Sequence, residues 1–126
     1  MEIKKVNTTE APLPGGHYSQ AVIANNTVYV SGQLPVVPVT GERILGTIEE
    51  QTLRVLNNIK AIVEAAGSDI TRIVKVTVFI SDIGHWGGVN TVYSEFFGSH
   101  KPARAIIPVK DLNHGFKLEI DAVAVI

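Results

Sequence analysis

Residues 47–80, TIEEQTLRVLNNIKAIVEAAGSDITRIVKVTVFI, decide the fold class because the hydrophobic period changes within them. Apolar residues first recur at spacings of three and four, which predicts a helix with one buried face. Thr47 and Glu50 form a capping-box pattern at its start, and Gly67 suits a left-handed stop after its last turn. Residues 73–80 then have apolar side chains on both faces, as expected of a strand covered on two sides. The helical stripe consists of Ile48, Thr52, Val55, Ile59, Ile62, Val63 and Ala66.

The segments on either side of this region complete the predicted element order. Residues 20–24 and 27–31 form a β-hairpin around two asparagines, which tolerate the left-handed conformation of a tight turn, and residues 2–6 add a weaker strand. A second helix capped by Ser81 or Asp82 runs to about Phe97. Its inner face consists of Val89, Val92, Tyr93, Phe96 and Phe97. Two further strands cover residues 104–109 and 117–125. The order βββαβαββ predicts one α+β (mixed α/β) domain over residues 1–126, with two helices packed on one face of a mixed sheet.

The composition excludes several classes of function. The chain has 126 residues, of which 45% are hydrophobic and 18% charged, and its formal net charge is −1. It contains no cysteine, which excludes thiol nucleophiles, disulfides and Cys-ligated zinc. The near-neutral charge leaves no broad positive field for phosphates, so we expect no nucleic-acid partner.

Localisation and assembly are also predicted from composition. The first ten residues contain no apolar segment of a secretory signal, and no apolar run approaches the roughly 20 residues of a membrane span, so we expect a soluble cytoplasmic protein without a membrane partner. The mean hydropathy of +0.22 is high for a small soluble monomer. Because two helices cover one sheet face, a second copy of the chain is the simplest cover for the other, and we expect a homo-oligomer.

The sequence lacks the common short motifs of catalytic sites. It has no nucleophile elbow of a serine hydrolase, no phosphate-binding loop and no zinc-protease motif. The histidines lie in different predicted loops or helix ends without ligand spacing, so we expect solvated side chains and no metal. They are His17, His85, His100 and His114.

Two carboxylates on the last predicted strand need an explanation. Glu119 and Asp121 share one face with Val123, whereas the apolar residues of this strand share the other. Either the carboxylates face water at a sheet edge, or they line a cleft where partial burial raises a carboxyl pKa for acid-base work.

Arg104 opens the preceding strand and is followed by four uncharged residues. It is either an exposed strand end or salt-bridge partner, or a planar fork that binds a carboxylate at two points. If the last two strands formed an antiparallel hairpin turning near Asp111, Arg104 would lie opposite Glu119. Tyr18 comes shortly after Gly15 and Gly16, and Ser31 comes directly before Gly32. By themselves these two residues indicate ordinary turns.

Several segments together resemble the YjgF family, the reactive intermediate deaminases, historically also called the L-PSP endoribonuclease family. The most specific are YSQAV at 18–22, VSGQLP at 30–35 and the pattern Q-T-x-x-V-L-x-N-I at 51–59. The sequence PAR at 102–104 is followed about fifteen residues later by EIDA. The match covers nearly the whole chain.

The resemblance implies a chorismate-mutase-like fold assembled as a homotrimer, with three clefts between neighbouring subunits. It also implies hydrolysis of enamines and imines of the 2-aminoacrylate and 2-iminopropanoate type to 2-keto acids and ammonia. The partner would be a small imino or keto acid, and no cofactor or metal is required. By position, Arg104 matches the arginine that holds the substrate carboxylate, Glu119 the acid that orients or activates water, and Tyr18 the cleft tyrosine. Ser31 and Asn90 match polar residues near the pocket.

This chain departs from the family pattern at three positions. His17 stands where the family commonly has proline, and Ala105 and Ile106 stand where it often has serine and then cysteine or threonine. If the family holds the water with a backbone carbonyl there, these side-chain changes are tolerable. If side-chain hydroxyl contacts matter instead, we expect a different substrate range or rate. Pro108 removes a donor from its strand, which indicates an edge or a bulge.

Two other functions compete with imine hydrolysis. One is an endoribonuclease or translation inhibitor, although no basic run is interleaved with aromatic residues. The other is a non-catalytic sensor of small carboxylates, which would use the same Arg104 cleft without turnover. Glu119 favours catalysis over sensing.

Overall fold

A computed structural model describes residues 1–126 as a six-stranded mixed sheet with two helices on it. The order of strands across the sheet is β1-β2-β3-β6-β4-β5. The order along the chain and the α+β class agree with the sequence prediction. The strands are β1 (Lys4–Val6), β2 (Ala21–Ala24), β3 (Thr27–Gln33), β4 (Ile73–Ile80), β5 (Ala103–Pro108) and β6 (Leu118–Val125), and the helices are α1 (Ile48–Ala65) and α2 (Trp86–Phe97).

Both ends of α1 form as their residues predict. The Thr47 hydroxyl accepts a hydrogen bond from the Glu50 backbone N–H at 3.1 Å, which satisfies one free donor of the first turn. At the other end Gly67 has φ of +90°, and the Ser68 N–H donates to the Val63 carbonyl at 2.9 Å. The helix therefore stops where a residue without a side chain can turn left-handed.

The start of α2 differs in detail from the prediction. Asp82, rather than Ser81, is the capping residue, and it accepts from the Gly84 N–H at 2.7 Å. It caps a short 3-10 turn over Ile83–His85, and α2 begins at Trp86 directly after this turn.

The two adjacent glycines at the start of α2 have opposite roles. A methyl group on Gly87 would meet no atom within 4 Å, whereas one on Gly88 would lie 2.5 Å from the Ile48 side chain of α1. We expect Gly87→Ala to stabilise the fold by about 0.5–1 kcal/mol. Gly88→Ala should destabilise it by about 1–3 kcal/mol, because the β-branched Ile48 cannot easily move away.

Chemical denaturation of the two variants measures this difference. Each variant is the control for the other, since both add one methyl group to the same helical turn. Equal stabilities would show that α1 and α2 are not packed closely at Gly88.

The core lies between the helices and one face of the sheet. On β6, Leu118, Ile120, Ala122 and Ala124 are all buried, as their alternation predicts. The opposite face of the sheet has no covering layer within the chain, and Tyr29 on it is 53% exposed. The prediction that both helices cover one face is confirmed. The prediction that residues 73–80 are covered on two sides is wrong within one chain, because Lys75, Thr77 and Phe79 of β4 lie on the face without a covering layer.

The conditional hairpin between the last two strands is wrong. Residues of β5 pair in parallel with β4, and β6 lies between β3 and β4. A parallel pair needs a crossover, and α2 supplies it between β4 and β5. The edge position of β5 confirms the prediction from Pro108, which lacks a ladder donor.

Three buried amides attach irregular segments to this framework. The Gln20 side chain accepts from the Thr8 N–H at 2.8 Å and donates to the Pro12 carbonyl at 2.9 Å, and so holds the N-terminal segment. Gln51 accepts from the Lys117 N–H at 2.9 Å, and Asn58 donates to the Val36 carbonyl at 2.9 Å. These amides satisfy backbone groups that would otherwise be unpaired inside the protein.

No helix has both the length and the apolar character needed to cross a membrane.

Candidate active site

Arg104 has unpaired hydrogen-bond donors beside α2. Its Nη1 donates to Asn90 Oδ1 at 2.9 Å, and its guanidinium carbon lies 4.7 Å from the centre of the Tyr93 ring. The only ion pair in the structure joins Lys4 and Glu2, so no carboxylate neutralises Arg104. A half-buried guanidinium without an acidic partner can bind an anion.

A pocket of about 430 Å³ adjoins this guanidinium. Besides Arg104, its lining includes Asn90, Tyr93, His100 and Lys101, and it includes no acidic residue. This combination of cations and neutral donors favours a small anionic ligand over a cationic one.

Glu119 lies on the other face of the sheet, away from the helices. Its side chain is half-buried and lies against Gly32 of β3. Burial raises the pKa of the Glu119 carboxyl, and the negative charge of Asp121 raises it further. Since β6 is an interior strand, these carboxylates do not lie at a sheet edge. The half-buried carboxyl has the environment that a proton-transfer group requires.

The neighbouring Asp121 is affected in the same direction. Burial is the largest cause and raises the pKa of its carboxyl, whereas a hydrogen bond from Thr77 and the charge of Lys75 oppose the rise. Thr77 lies directly across the ladder from Asp121. Thr77 and Lys75 therefore offset part of the rise in the pKa of Asp121, whereas no neighbour offsets the rise in the pKa of Glu119.

Tyr18 and Ser31 lie in the same part of the molecule as Glu119. Ser31 precedes Gly32 on β3, and its hydroxyl donates to the Ser19 carbonyl at 2.6 Å. Tyr18 is 51% exposed, and its hydroxyl accepts from the Gly15 N–H at 3.3 Å. Tyr18 and Gly32 line a second pocket of about 250 Å³, which also includes Arg43, a residue that sequence reasoning did not select.

One chain does not bring Arg104 and Glu119 together. Glu119 pairs with Phe79 of β4, and Phe79 pairs with Ile107 of β5. Two strand spacings and a shift of three residues place the Arg104 and Glu119 Cα atoms roughly 14 Å apart. Arg104 contacts α2 on the helix side of the sheet, whereas Glu119 is on the uncovered side.

The two residues after Arg104 point in different directions. The Ile106 side chain packs against the core, and Ala105 pairs with Thr77 on the uncovered face. As β5 is an edge strand, its outer row of backbone N–H and C=O groups has no ladder partner in the chain. Residue 106 can thus contribute to a site through its backbone alone.

The close contact between Gly32 and Glu119 gives a sensitive probe of this carboxylate. A methyl group at Gly32 would overlap Oε2 of Glu119 and lie 3.0 Å from its carboxyl carbon. Because the carboxylate ends a flexible side chain, we expect Gly32→Ala to displace it at little cost in stability. The rate of the imine hydrolysis that the resemblance implies should fall by about tenfold or more, since a small displacement of a reacting group greatly slows a reaction.

Gly87→Ala is the matched control, because a methyl group there meets nothing within 4 Å and Gly87 lies on α2, on the other side of the sheet from Glu119. Steady-state rates and thermal unfolding of both variants separate the two effects. Full activity of Gly32→Ala would contradict a role for the Glu119 carboxylate in its present position.

The expectation of four solvated histidines is wrong for His100. Its Nε2 lies 2.8 Å from the Ile73 carbonyl oxygen, and its ring contacts that of Phe97 with centroids 6.0 Å apart. The contact with Ile73 links the segment before β5 to β4. The chain contains no group of three or more His, Asp and Glu side chains positioned to hold a metal ion.

Sequence reasoning missed two aromatic residues around Arg104. Tyr93 was predicted only as a core residue of α2, and Trp86 was not selected at all. Both share a helix face with Asn90, because residues 86, 90 and 93 are spaced by four and three. That spacing was the available signal.

The family model described as Endoribonuclease L-PSP matches residues 8–126. The chain belongs to the endoribonuclease L-PSP family. This confirms the resemblance to the reactive intermediate deaminases that the sequence motifs indicated.

Individual members of the L-PSP family resemble the chain along nearly its whole length. A RutC family protein of Pyrococcus abyssi is 47% identical over 117 residues, which cover 93% of this chain and 92% of that protein. A 2-iminobutanoate/2-iminopropanoate deaminase of Rattus norvegicus is 42% identical over 122 residues, covering 97% and 89%. A solved structure from Thermotoga maritima is 48% identical in sequence and superposes with a TM-score of 0.95. The match covers 100% of this chain and 98% of the Thermotoga chain.

Proposed function

We propose that this protein hydrolyses small enamines and imines of 2-keto acids, of the 2-aminoacrylate and 2-iminopropanoate type, to 2-keto acids and ammonia. The observation that supports it most strongly is the acid-free pocket at Arg104, where a guanidinium with free donors has no carboxylate partner. A deaminase name on a relative at 42% identity agrees with this chemistry.

The proposed mechanism divides the work between two side chains. Arg104 binds the substrate carboxylate and so orients the C=N bond. Glu119 accepts a proton from water as the water oxygen bonds to the imine carbon, and the proton is passed to nitrogen. The resulting carbinolamine loses ammonia and leaves the keto acid. An enamine substrate first becomes the imine, as its terminal carbon gains a proton and its nitrogen loses one. Imine and water are then the only reactants, so no cofactor is needed to balance the reaction.

We propose that the complete site forms between neighbouring copies in a homotrimer with three clefts. Because Arg104 and Glu119 of one chain face opposite sides of the sheet, the Arg104 pocket of one copy would meet Glu119, Ser31 and Tyr18 of the next. The uncovered sheet face supports this arrangement, since Tyr29 on it is largely exposed. The high mean hydropathy of +0.22 agrees with an interface there.

A coupled assay tests the activity. A pyridoxal-phosphate dehydratase generates the imine, and keto-acid release is followed with and without this protein. We expect faster keto-acid release with the wild-type protein. No acceleration would overturn the deaminase proposal, and keto-acid binding by calorimetry without any turnover would instead favour a carboxylate sensor.

The family description supports RNA cleavage as the second candidate. The pocket contains two cations, Arg104 and Lys101, which can contact a phosphate. However, the net charge of −1 provides no wider positive surface. Cleavage of RNA by stringently purified protein, abolished by Arg104→Ala, would support this candidate, and persistence of cleavage in that variant would identify a contaminant.

A further inference from the structure

Three side chains of α2 surround the Arg104 guanidinium. Its carbon lies 4.7 Å from the Tyr93 ring centre and 5.6 Å from the Trp86 ring centre. Asn90, between them along the helix, accepts from Nη1 at 2.9 Å. One helix face therefore supplies two aromatic contacts and a hydrogen bond to the same group.

This arrangement restrains a side chain that is otherwise mobile. Arginine has several rotatable bonds, and each must be ordered before a two-point contact with a carboxylate can form. Contact with aromatic rings restrains the position of the planar guanidinium, and the bond to Asn90 restrains its rotation. The remaining N–H donors, on Nε, Nη2 and the second N–H of Nη1, make no hydrogen bond within the chain.

We propose that Trp86 and Tyr93 are positioning residues that hold Arg104 ready to bind a carboxylate. The identity of the ligand rests on the proposed function, but the restraint on Arg104 does not. Trp86 is the more informative residue because it is 42% exposed and lies outside the core cluster. Its replacement should leave the fold intact.

The Tyr93 hydroxyl allows the ring and the polar group to be separated. This hydroxyl is buried and has no hydrogen-bond partner. Tyr93→Phe keeps the ring against Arg104 and removes an unsatisfied polar group, so it should not weaken the fold. If the ring restrains Arg104, the Arg104 side chain in this variant is as ordered as in wild type.

Nuclear magnetic resonance of the arginine Nε–H groups measures the restraint directly. The chain has four arginines, and the Arg104 signal is identified by its loss in Arg104→Lys. We expect a high heteronuclear NOE for Arg104 in wild type, in Tyr93→Phe and in Trp86→Phe. In Trp86→Ala it should fall toward the value of the exposed Arg72. An unchanged Arg104 signal in a folded Trp86→Ala protein would overturn the proposal.

Kinetics then show whether the restraint serves binding. In the imine assay we expect Trp86→Ala to raise KM by about threefold to tenfold with kcat nearly unchanged. Trp86→Phe keeps an aromatic ring and should have a KM close to that of wild type. A loss confined to kcat would contradict a positioning role in binding. If the wild-type protein shows no turnover, the deaminase proposal fails, while the NMR result still decides whether Trp86 orders Arg104.

Discussion

Replacing Arg104 with alanine is expected to lower kcat/KM for imine hydrolysis by about 100-fold or more. The guanidinium is the only group in its pocket that can contact a carboxylate at two points, and no other charge in the pocket duplicates that geometry. Arg104→Lys keeps the charge but loses the planar fork, so it should recover only part of the activity. Initial rates over a range of imine concentrations give kcat and KM separately.

Arg72→Ala is the matched control for this experiment. Arg72 is exposed in the short turn before β4 and does not line the pocket. It should retain full activity, and both variants should unfold near the wild-type temperature. Undiminished turnover by Arg104→Ala would remove Arg104 from the mechanism and the pocket from consideration as the active site.

Glu119→Gln is expected to lower kcat by about 100-fold while making the protein more stable at neutral pH. The loss of rate follows from the loss of a proton-transfer group, which contributes typically about 10²–10⁴-fold. The gain in stability follows from the raised pKa of the Glu119 carboxyl, because burial and the charge of Asp121 disfavour its ionised form in the folded state.

The pH dependence of stability has a definite sign. A carboxyl whose pKa is raised by folding favours the folded state below its unfolded pKa, and this benefit is lost as pH rises through the folded pKa. Glutamine does not titrate, so the melting temperature of Glu119→Gln should exceed that of wild type near pH 7 by more than it does near about pH 3. Melting curves at both pH values measure this difference.

Two further variants complete the test of Glu119. Glu64→Gln changes an exposed residue of α1 in the same way and should alter neither rate nor stability. Asp121→Asn removes the charge that raises the Glu119 pKa, so the corresponding limb of the kcat–pH profile should move to lower pH. A profile that does not move would show that another group controls proton transfer.

Some of the motifs that indicated the family serve the fold rather than the chemistry. Gln20, Gln51 and Asn58 belong to the sequences that carried the resemblance, yet each is buried and bonded to backbone groups of irregular segments. A glutamine or asparagine in a sequence does not reveal which distant backbone group it will meet. Their structural role therefore required the tertiary contacts.

The sequence by itself determined the secondary structure, the family and the core-facing side of the helices and of β6. It did not determine this for β4, where both faces are apolar in sequence and only one is covered within the chain. Those properties depend on hydrophobic period, caps and turn residues, which act over a few neighbouring positions, as at Thr47 and Gly67. Strand order and register involve residues far apart in the chain, and their energies depend on how whole faces pack together. Only the tertiary structure placed β6 between β3 and β4, separated Arg104 from Glu119, and set Trp86 and Tyr93 around the guanidinium.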